Sequence, residues 1–450
     1  MKKRLTPVQF VFISFVLVIL TGAIILMLPI SSRSGQFTNF VTALFTATSA
    51  TCVTGLVVVD TYTYWSNFGQ LVILILIQVG GLGYMTIATL FLLGFRRRIA
   101  LKERFILKEG LNVPNLKRIV IFAKIVLLTT AIVEGTGAVI LFFRFIKMFP
   151  FLKAVWFSIF HAVSAFCNAG FDLMGNFQSL MMFVNDLTIN LVIMSLIVIG
   201  GIGFIVIREL LDFFKARLEG DNLKKLSLHA KIVLSATSII IISGFILIFL
   251  LEHSNPNTLS QLTERGKFLA SMFQSITPRT AGFATVDIGK LYQTTQLIIM
   301  LLMFIGASPG GTGGGIKTST FTVVLFLLIS SYKENASVVI FGRTIPQKTI
   351  KKAIFIFGFS LFLILSSTLL ILINQGEDFT FLQVLFEVVS AFGTVGLSTG
   401  ITPKLSNFSR LIIIATMLIG RVGPLAVILS ISTARQRALP QYPEEDIAVG

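Results

Sequence analysis

The chain has 450 residues, 54% of them hydrophobic and 13% charged, about half the charged share of a soluble domain, which excludes an aqueous globule. Its formal net charge of +17 raises nucleic acid or anionic lipid as partners. No aromatic-and-basic module accompanies that charge, so nucleic acid is set aside.

The charge is segmented along the chain. The N-terminus, residues 96–118, 208–231 and 332–352, and the tail 433–450 hold 24 of the 37 Lys and Arg but 10 of the 20 acids. Near-neutral connections separate them, which is the positive-inside pattern. Both termini and three basic loops are therefore expected on the cytoplasmic side of a cell membrane, facing anionic membrane lipid.

From the start, Met1-Lys2-Lys3-Arg4 precedes an apolar run over 8–30 with no small-x-small cleavage site after it. The run is longer than the roughly 7–15 residues of a secretory h-region, so it is expected to remain as a helix. Further long apolar helices are expected at about 68–95, 118–147, 187–207, 229–252, 291–331 (interrupted), 348–374 and 408–433. Runs beyond roughly 18 apolar residues mark membrane spans.

Between the long helices lie four shorter related stretches, Phe45 to Gly55, Phe160 to Gly170, Phe273 to Gly282 and Phe386 to Gly396. Their terminal glycines stand 115, 112 and 114 residues apart, the signature of internal repeats. A second glycine motif follows each: Gly80-Gly81-Leu82-Gly83, Gly200-Gly201-Ile202-Gly203, Gly306-Ala307-Ser308 and Gly420-Arg421-Val422-Gly423. The chain is read as an all-α integral membrane protein of four helix–pore-loop–helix repeats around a central pseudo-fourfold ion pore. Repeat 1 covers 1–100, repeat 2 covers 101–216, repeat 3 covers 217–340, and repeat 4 with a cytoplasmic tail covers 341–450.

A helix of about 12 residues is about 18 Å long and cannot cross a hydrocarbon core of about 30 Å. The four short helices must be re-entrant, and irregular backbone at that depth needs a water-lined path. After them come Val53-Thr54-Gly55, Asn168-Ala169-Gly170, Thr280-Ala281-Gly282 and Thr394-Val395-Gly396, none of them ionised. Rings of backbone carbonyls bind a dehydrated cation such as K+, and glycine supplies the positive φ that such turns require. The short helices aim their negative C-terminal ends at the same path. Close helix packing is the competing explanation for these glycines. Four in register, each after a half-length helix, favour the ion path.

Repeat 3 departs from the others. Its stretch Gly306-Ala307-Ser308-Pro309-Gly310-Gly311-Thr312-Gly313-Gly314-Gly315-Ile316-Lys317 cannot hold a helix, at a depth where the other repeats are expected to continue as helix. Read as a cytoplasmic linker, it would leave flanks of about 15 residues, too short to span alone. It is read instead as a gate beneath the filter. Arg421, aligned with Gly81, Gly201 and Ala307, costs about 2.5–3.5 kcal/mol at mid-membrane. It is expected to help close the path by holding loop carbonyls and repelling cations.

Other polar residues are given lesser roles. Glu134 is read as an interhelical hydrogen-bonding group, His161 as a packing or polar-bonding residue, and Arg279 as a brace for short-helix carbonyls. Asp60, Asp172 and Asp287 follow three of the turns and either enrich cations at the mouth or are solvated loop acids. Cys52 and Cys167 show no metal or disulfide spacing, and scattered His161, His229 and His253 show no ligand spacing. The pore region offers no base–nucleophile pair, so no enzyme is expected. Gly310 to Gly315 lacks the strand–loop–helix context of a nucleotide site, so no organic cofactor is expected in this chain.

In these repeats and motifs the whole chain resembles the Ktr/Trk/HKT superfamily of potassium transporters, most nearly the membrane subunit of a bacterial Ktr potassium uptake system. Trk-type members carry two further helices ahead of repeat 1. The resemblance implies that Gly55, Gly170, Gly282 and Gly396 set potassium selectivity and that the 306–317 loop is the gate. It also implies a homodimer with one pore in each protomer and a cytosolic ring of nucleotide-binding regulatory subunits. Cys52 stands where the family usually has threonine. Sodium dependence stays open, and a sodium-permeable cation transporter of the same fold is the alternative.

Overall fold

The computed structural model describes residues 7–83, 116–221, 223, 225–334 and 337–424. The N-terminal charges, most of the 96–118 loop, the far ends of the expected helices 68–95 and 408–433, and the tail lie outside the described residues. Each repeat consists of an outer helix, a half-length helix and an inner helix. Repeat 1 has Pro7–Met27, Phe40–Cys52 and Asn67–Leu82. Repeat 2 has Leu116–Phe145, Phe151–Phe166 and Leu187–Ile202, then Phe204–Leu218. Repeat 3 has Leu228–Glu252, Glu264–Ile276 and an inner pair, Gln293–Phe304 and Thr318–Tyr332. Repeat 4 has Gln347–Gln375, Phe381–Gly393 and Asn407–Val422.

Local chemistry sets where these helices begin. Asn39, Thr263 and Thr380 cap half-length helices through side-chain oxygens, Thr380 with Gln383 in a full capping box. Ser66, Asp186 and Ser406 do the same for inner helices. Each cap satisfies an amide that no helical carbonyl can reach, worth about 1 kcal/mol. Such pairing matters most where water is scarce.

Outer helices expose large apolar side chains, among them Leu17, Leu128, Ile239, Leu250 and Phe362, as a lipid-facing surface requires. Half-length helices are the buried elements. The inner helix of each repeat packs on the half-length helix of its own repeat and on that of the next, and the repeat 4 inner helix packs on the repeat 1 half-length helix. The four repeats thereby close a ring.

One expectation needs correction. The inner helices of repeats 1, 2 and 4 do not continue as single helices: they stop at Leu82, Ile202 and Val422. The next residues, Gly83, Gly203 and Gly423, have φ of +72°, +99° and +94°, a conformation glycine adopts without steric cost. After Gly203 the chain bends by 98° into Phe204–Leu218. The break in repeat 3 thus has a counterpart in every repeat, and repeat 3 differs by inserting a loop there.

A small hairpin joins the repeat 3 inner pair to repeat 4, where sequence reading expected just a basic loop. Val339 pairs with Thr344 and Ile340 with Arg343 around Phe341 and Gly342, both at positive φ, as tight hairpin turns prefer. Ile340 is buried in a cluster with Val338, Ile345, Ile350, Val323 and Ile232.

Candidate ion path

The four turns after the half-length helices share one backbone pattern. Val53, Asn168, Thr280 and Thr394 have φ of 57°, 60°, 71° and 50°, and two residues later Gly55, Gly170, Gly282 and Gly396 have 94°, 68°, 80° and 96°. Three non-glycine β-branched residues held left-handed carry real strain. The surrounding packing holds them there, since the first two residues of every turn are fully buried.

These turns meet one another edge to edge. A Cβ on Gly55 would lie 2.5 Å from Ala169 O, on Gly170 2.6 Å from Ala281 O, on Gly282 2.3 Å from Val395 O, and on Gly396 2.1 Å from Thr54 O. Each glycine abuts the carbonyl just before the next repeat's glycine, and the fourth meets the first. The result is a closed ring of backbone oxygens with no ionised side chain in it. Asn168 Nδ2 adds a further link between repeats, donating to Arg279 O and Thr280 Oγ1 at 3.2 Å each.

Hydroxyls from the half-length helices brace the turns. Gly55 N–H donates to Ser49 Oγ and Gly396 N–H to Ser390 Oγ, both at 3.1 Å. Ser164 Oγ donates to Phe171 O at 2.7 Å. Repeat 3 is one residue shorter between its phenylalanine and its glycine, and Thr277 takes the serine's part, donating to Phe283 O at 2.6 Å. Thr277 stands four residues after Phe273, as Ser49, Ser164 and Ser390 stand after their phenylalanines, and the deletion falls between it and Gly282. The repeat spacing carried this signal, but the sequence reading rested on the glycines and not on the hydroxyls that brace them. His161 Nε2 accepts from Leu173 N–H at 3.3 Å, and Glu387 Oε1 accepts from Thr399 N–H at 3.0 Å. These two stand at matched positions in repeats 2 and 4, each behind the strand leaving its turn.

On one side of the ring opens a cavity of about 400 Å³ lined by all four glycines, with Asp172, Asp287 and Lys404 at its wall. Burial pushes the Asp172 carboxyl up to about 7 and the nearby Asp60 charge adds to the rise, while the Met174 N–H opposes it. Asp60 is structural: it caps Thr63 N–H at 2.7 Å and accepts Phe177 N–H at 2.9 Å. Asp287 accepts Gly289 N–H at 3.0 Å and pairs with Lys290 at 3.5 Å.

On the other side the 306–317 loop packs directly against the ring. Gly314 N–H donates to Thr394 Oγ1 at 3.0 Å, and a Cβ on Gly313 would fall 1.8 Å from Thr280 Oγ1. Ser308 N–H and Thr312 N–H donate to Gly201 O and Gly200 O, Phe204 N–H donates to Gly310 O, and Gly315 N–H donates to Gly420 O, at 3.0, 3.1, 3.0 and 3.3 Å. Thr312 Oγ1 reaches Phe166 O at 3.1 Å. Gly306 N–H closes the loop's base on Ile316 O at 2.9 Å, and Gly311 N–H turns back on Ser308 O at 3.1 Å. Pro309 O sits 2.6 Å from where a Cβ on Gly203 would be, so the break in repeat 2 admits the loop. Lys317 Nζ donates to Gly313 O at 2.6 Å. Arg421 donates to Thr312 O and to Gly80 O, tying repeat 4 to the loop and to repeat 1.

Gly80, Gly200 and Gly420 have a packing role. A Cβ on each would lie 2.0 Å from Thr51 O, Phe166 O and Phe392 O respectively, at the ends of the half-length helices. Glu134 accepts from Gln78 Nε2 at 3.2 Å and has Cys167 Sγ at 3.6 Å, which places the interhelical bond behind the second turn. The bracing role expected of Arg279 is corrected: its side chain bonds no half-length-helix carbonyl among the described residues, and its backbone oxygen is what engages Asn168.

An all-α membrane fold whose four repeats close on an uncharged carbonyl ring is the build of a membrane cation transporter, not of an enzyme. A family profile described as TrkH, cation transport protein, matches residues 5–442. The "Ktr system potassium uptake protein B" of Bacillus subtilis is 42% identical over 99% of this chain and 97% of its own. The "Potassium/sodium uptake protein NtpJ" of Enterococcus hirae is 40% identical over 100% and 98%. The crystal structure of the potassium transporter TrkH from Vibrio parahaemolyticus aligns with a TM-score of 0.72 at 19% identity, over 96% of this chain and 86% of that one. The chain belongs to the TrkH family of cation transport proteins.

Proposed function

We propose that this protein takes up potassium across the cell membrane, with the four turns as its selectivity filter. Carbonyls of Val53, Thr54, Asn168, Ala169, Thr280, Ala281, Thr394 and Val395, with the four glycines, replace the hydration shell of K+. The observation that carries this reading is the mutual contact of the four glycines with their neighbours' carbonyls, since a ring of that kind serves a centred ion and has no use in a scaffold. An inside-negative potential drives entry by about 2.3 kcal/mol per 100 mV.

In the same reading the 306–317 loop with Arg421 is the gate, and the structure is its closed state. The loop touches the filter at Thr280 and Thr394, and Arg421 adds a fixed positive charge beside it. Both termini and the 339–344 hairpin face the cytoplasm, where a nucleotide-binding regulatory subunit docks on a homodimer. A relative whose name includes both potassium and sodium keeps a sodium-permeable transporter as the second reading. Potassium and sodium flux into proteoliposomes containing the purified chain, with and without a regulatory subunit, tests both. Potassium flux well above sodium supports the first, equal flux supports the second, and no flux of either rejects the path.

A further inference from the structure

Between repeats 2 and 3 lies a cavity of about 10 Å³ lined by Ile197, Val198, Gly201, Thr237, Ile276 and Arg279. Arg279 is 4% exposed and Thr237 6%. Arg279 Nη1 and Thr237 Oγ1 are both buried without a hydrogen-bond partner. The ion pairs among the described residues leave Arg279 out. A guanidinium is charged at every accessible pH and offers donors alone. An uncompensated charge of this kind inside a membrane protein is among the costliest groups a fold can hold.

The matched site in repeat 2 shows how the protein satisfies the same position differently. Cys167 stands three residues before Gly170, as Arg279 stands three before Gly282, and Gln78 stands two before Gly80, as Val198 stands two before Gly200. Cys167 Sγ lies 3.6 Å from both Gln78 Oε1 and Glu134 Oε1, so that pocket is filled by the chain's own amide and carboxylate. In repeat 3 a cation replaces the thiol, valine replaces the amide, and Thr237 is the other polar group in the wall. Among the described residues no acid pairs with Arg279, which leaves the compensating negative charge to be supplied from solution.

We propose that this pocket binds one small monovalent anion of the halide class, chloride in practice, between Arg279 Nη1 and Thr237 Oγ1. The room is that of a single water-sized particle, which shuts out sulfate, phosphate and carboxylates. The remaining wall is apolar, so water alone would leave the charge uncompensated. This inference stands apart from the filter reading.

The test uses the purified full chain in detergent at constant potassium, with chloride replaced stepwise by gluconate. The thermal unfolding midpoint should rise saturably with chloride or bromide and stay flat in gluconate. Thr237→Val removes one hydrogen bond to a charged ligand and should raise the half-saturating chloride about tenfold. Arg279→Met should abolish the halide response; should that variant fail to fold, Thr237→Val decides alone. Bromide anomalous density beside Arg279 would support the site. Equal wild-type midpoints in chloride and gluconate, or a halide response indifferent to Thr237→Val, would overturn it.

Discussion

Gly396 lies so close to Thr54 that a Cβ on the glycine would sit 2.1 Å from the threonine's carbonyl oxygen. This contact joins the last repeat to the first and so completes the ring. It is the tightest of the four glycine–carbonyl approaches, and the glycine is also left-handed at φ 96°. Any side chain there meets both a clash with a backbone atom and a backbone penalty.

Gly396→Ala is therefore expected to push repeats 4 and 1 apart and to spoil the spacing of the oxygens. The left-handed penalty alone is about 1–2 kcal/mol, and each 1.4 kcal/mol is tenfold in binding. Competition between potassium and sodium in uptake assays should show preference for potassium falling by about tenfold or more. A preference equal to wild type would remove the ring from the selectivity mechanism.

Arg421→Gln tests the gate. The guanidinium bonds Thr312 O in the loop and Gly80 O in repeat 1, and bonds from charged donors are worth about 1.5–3 kcal/mol each. Losing the pair, along with the fixed charge, should raise resting potassium leak in proteoliposomes by about tenfold or more. Leak at the wild-type level would show that the arginine merely supports packing.

The four glycine turns and the 306–317 loop were legible in the sequence because repetition multiplies a weak signal. A single glycine could be a packing contact, whereas Gly55, Gly170, Gly282 and Gly396 recur at nearly even spacing. The breaks at Gly83, Gly203 and Gly423 were spelled in the same motifs yet read as helix, since apolar residues on both sides mimic one continuous span. Gly80, Gly200 and Gly420 pack on carbonyls more than 25 residues away along the chain, which hydropathy cannot register. Thr277 aligns with Ser49, Ser164 and Ser390 four residues after each repeat's phenylalanine, but the bond from its hydroxyl to the turn is a contact that spacing alone does not announce. Arg279 and Thr237 come together through tertiary packing of two helices, and no local pattern announces that.

If the cavity lined by Asp172 and the four glycines is the outer mouth of the proposed path, uptake should depend on pH through Asp172. Its carboxyl is raised to about 7 chiefly by burial, so it carries charge above that pH and loses it below. Acidifying the outside from about pH 8 to about pH 6 should slow uptake at subsaturating potassium a few-fold, because it removes a negative charge from the wall of the cavity that the four glycines line. Asp172→Asn should show the slower rate throughout and little pH response. The raised value also means that ionisation opposes folding as pH climbs from about 4 to about 7, so the asparagine variant should melt above wild type at about pH 8. A pH profile unchanged in the variant would assign the dependence to another group.

The seat of the loop beneath the carbonyl ring can be tested by a pair of substitutions. Gly313 has no room for a side chain: its Cβ would lie 1.8 Å from Thr280 Oγ1 and 2.8 Å from the Ala307 Cβ. Gly313→Ala should force the loop off its seat and raise resting leak by about tenfold, the consequence of roughly 1.4 kcal/mol of strain in the closed state. Thr280 is itself left-handed at φ 71°, so Thr280→Gly suits the backbone while clearing the main obstruction. It gives up the hydroxyl that accepts from Asn168, a loss of about 1 kcal/mol. If the loop closes the path by contact with this turn, the double variant should leak less than Gly313→Ala alone, a coupling that separate sites would lack. Leak in the double variant equal to or above the summed single effects would place the closing contact elsewhere.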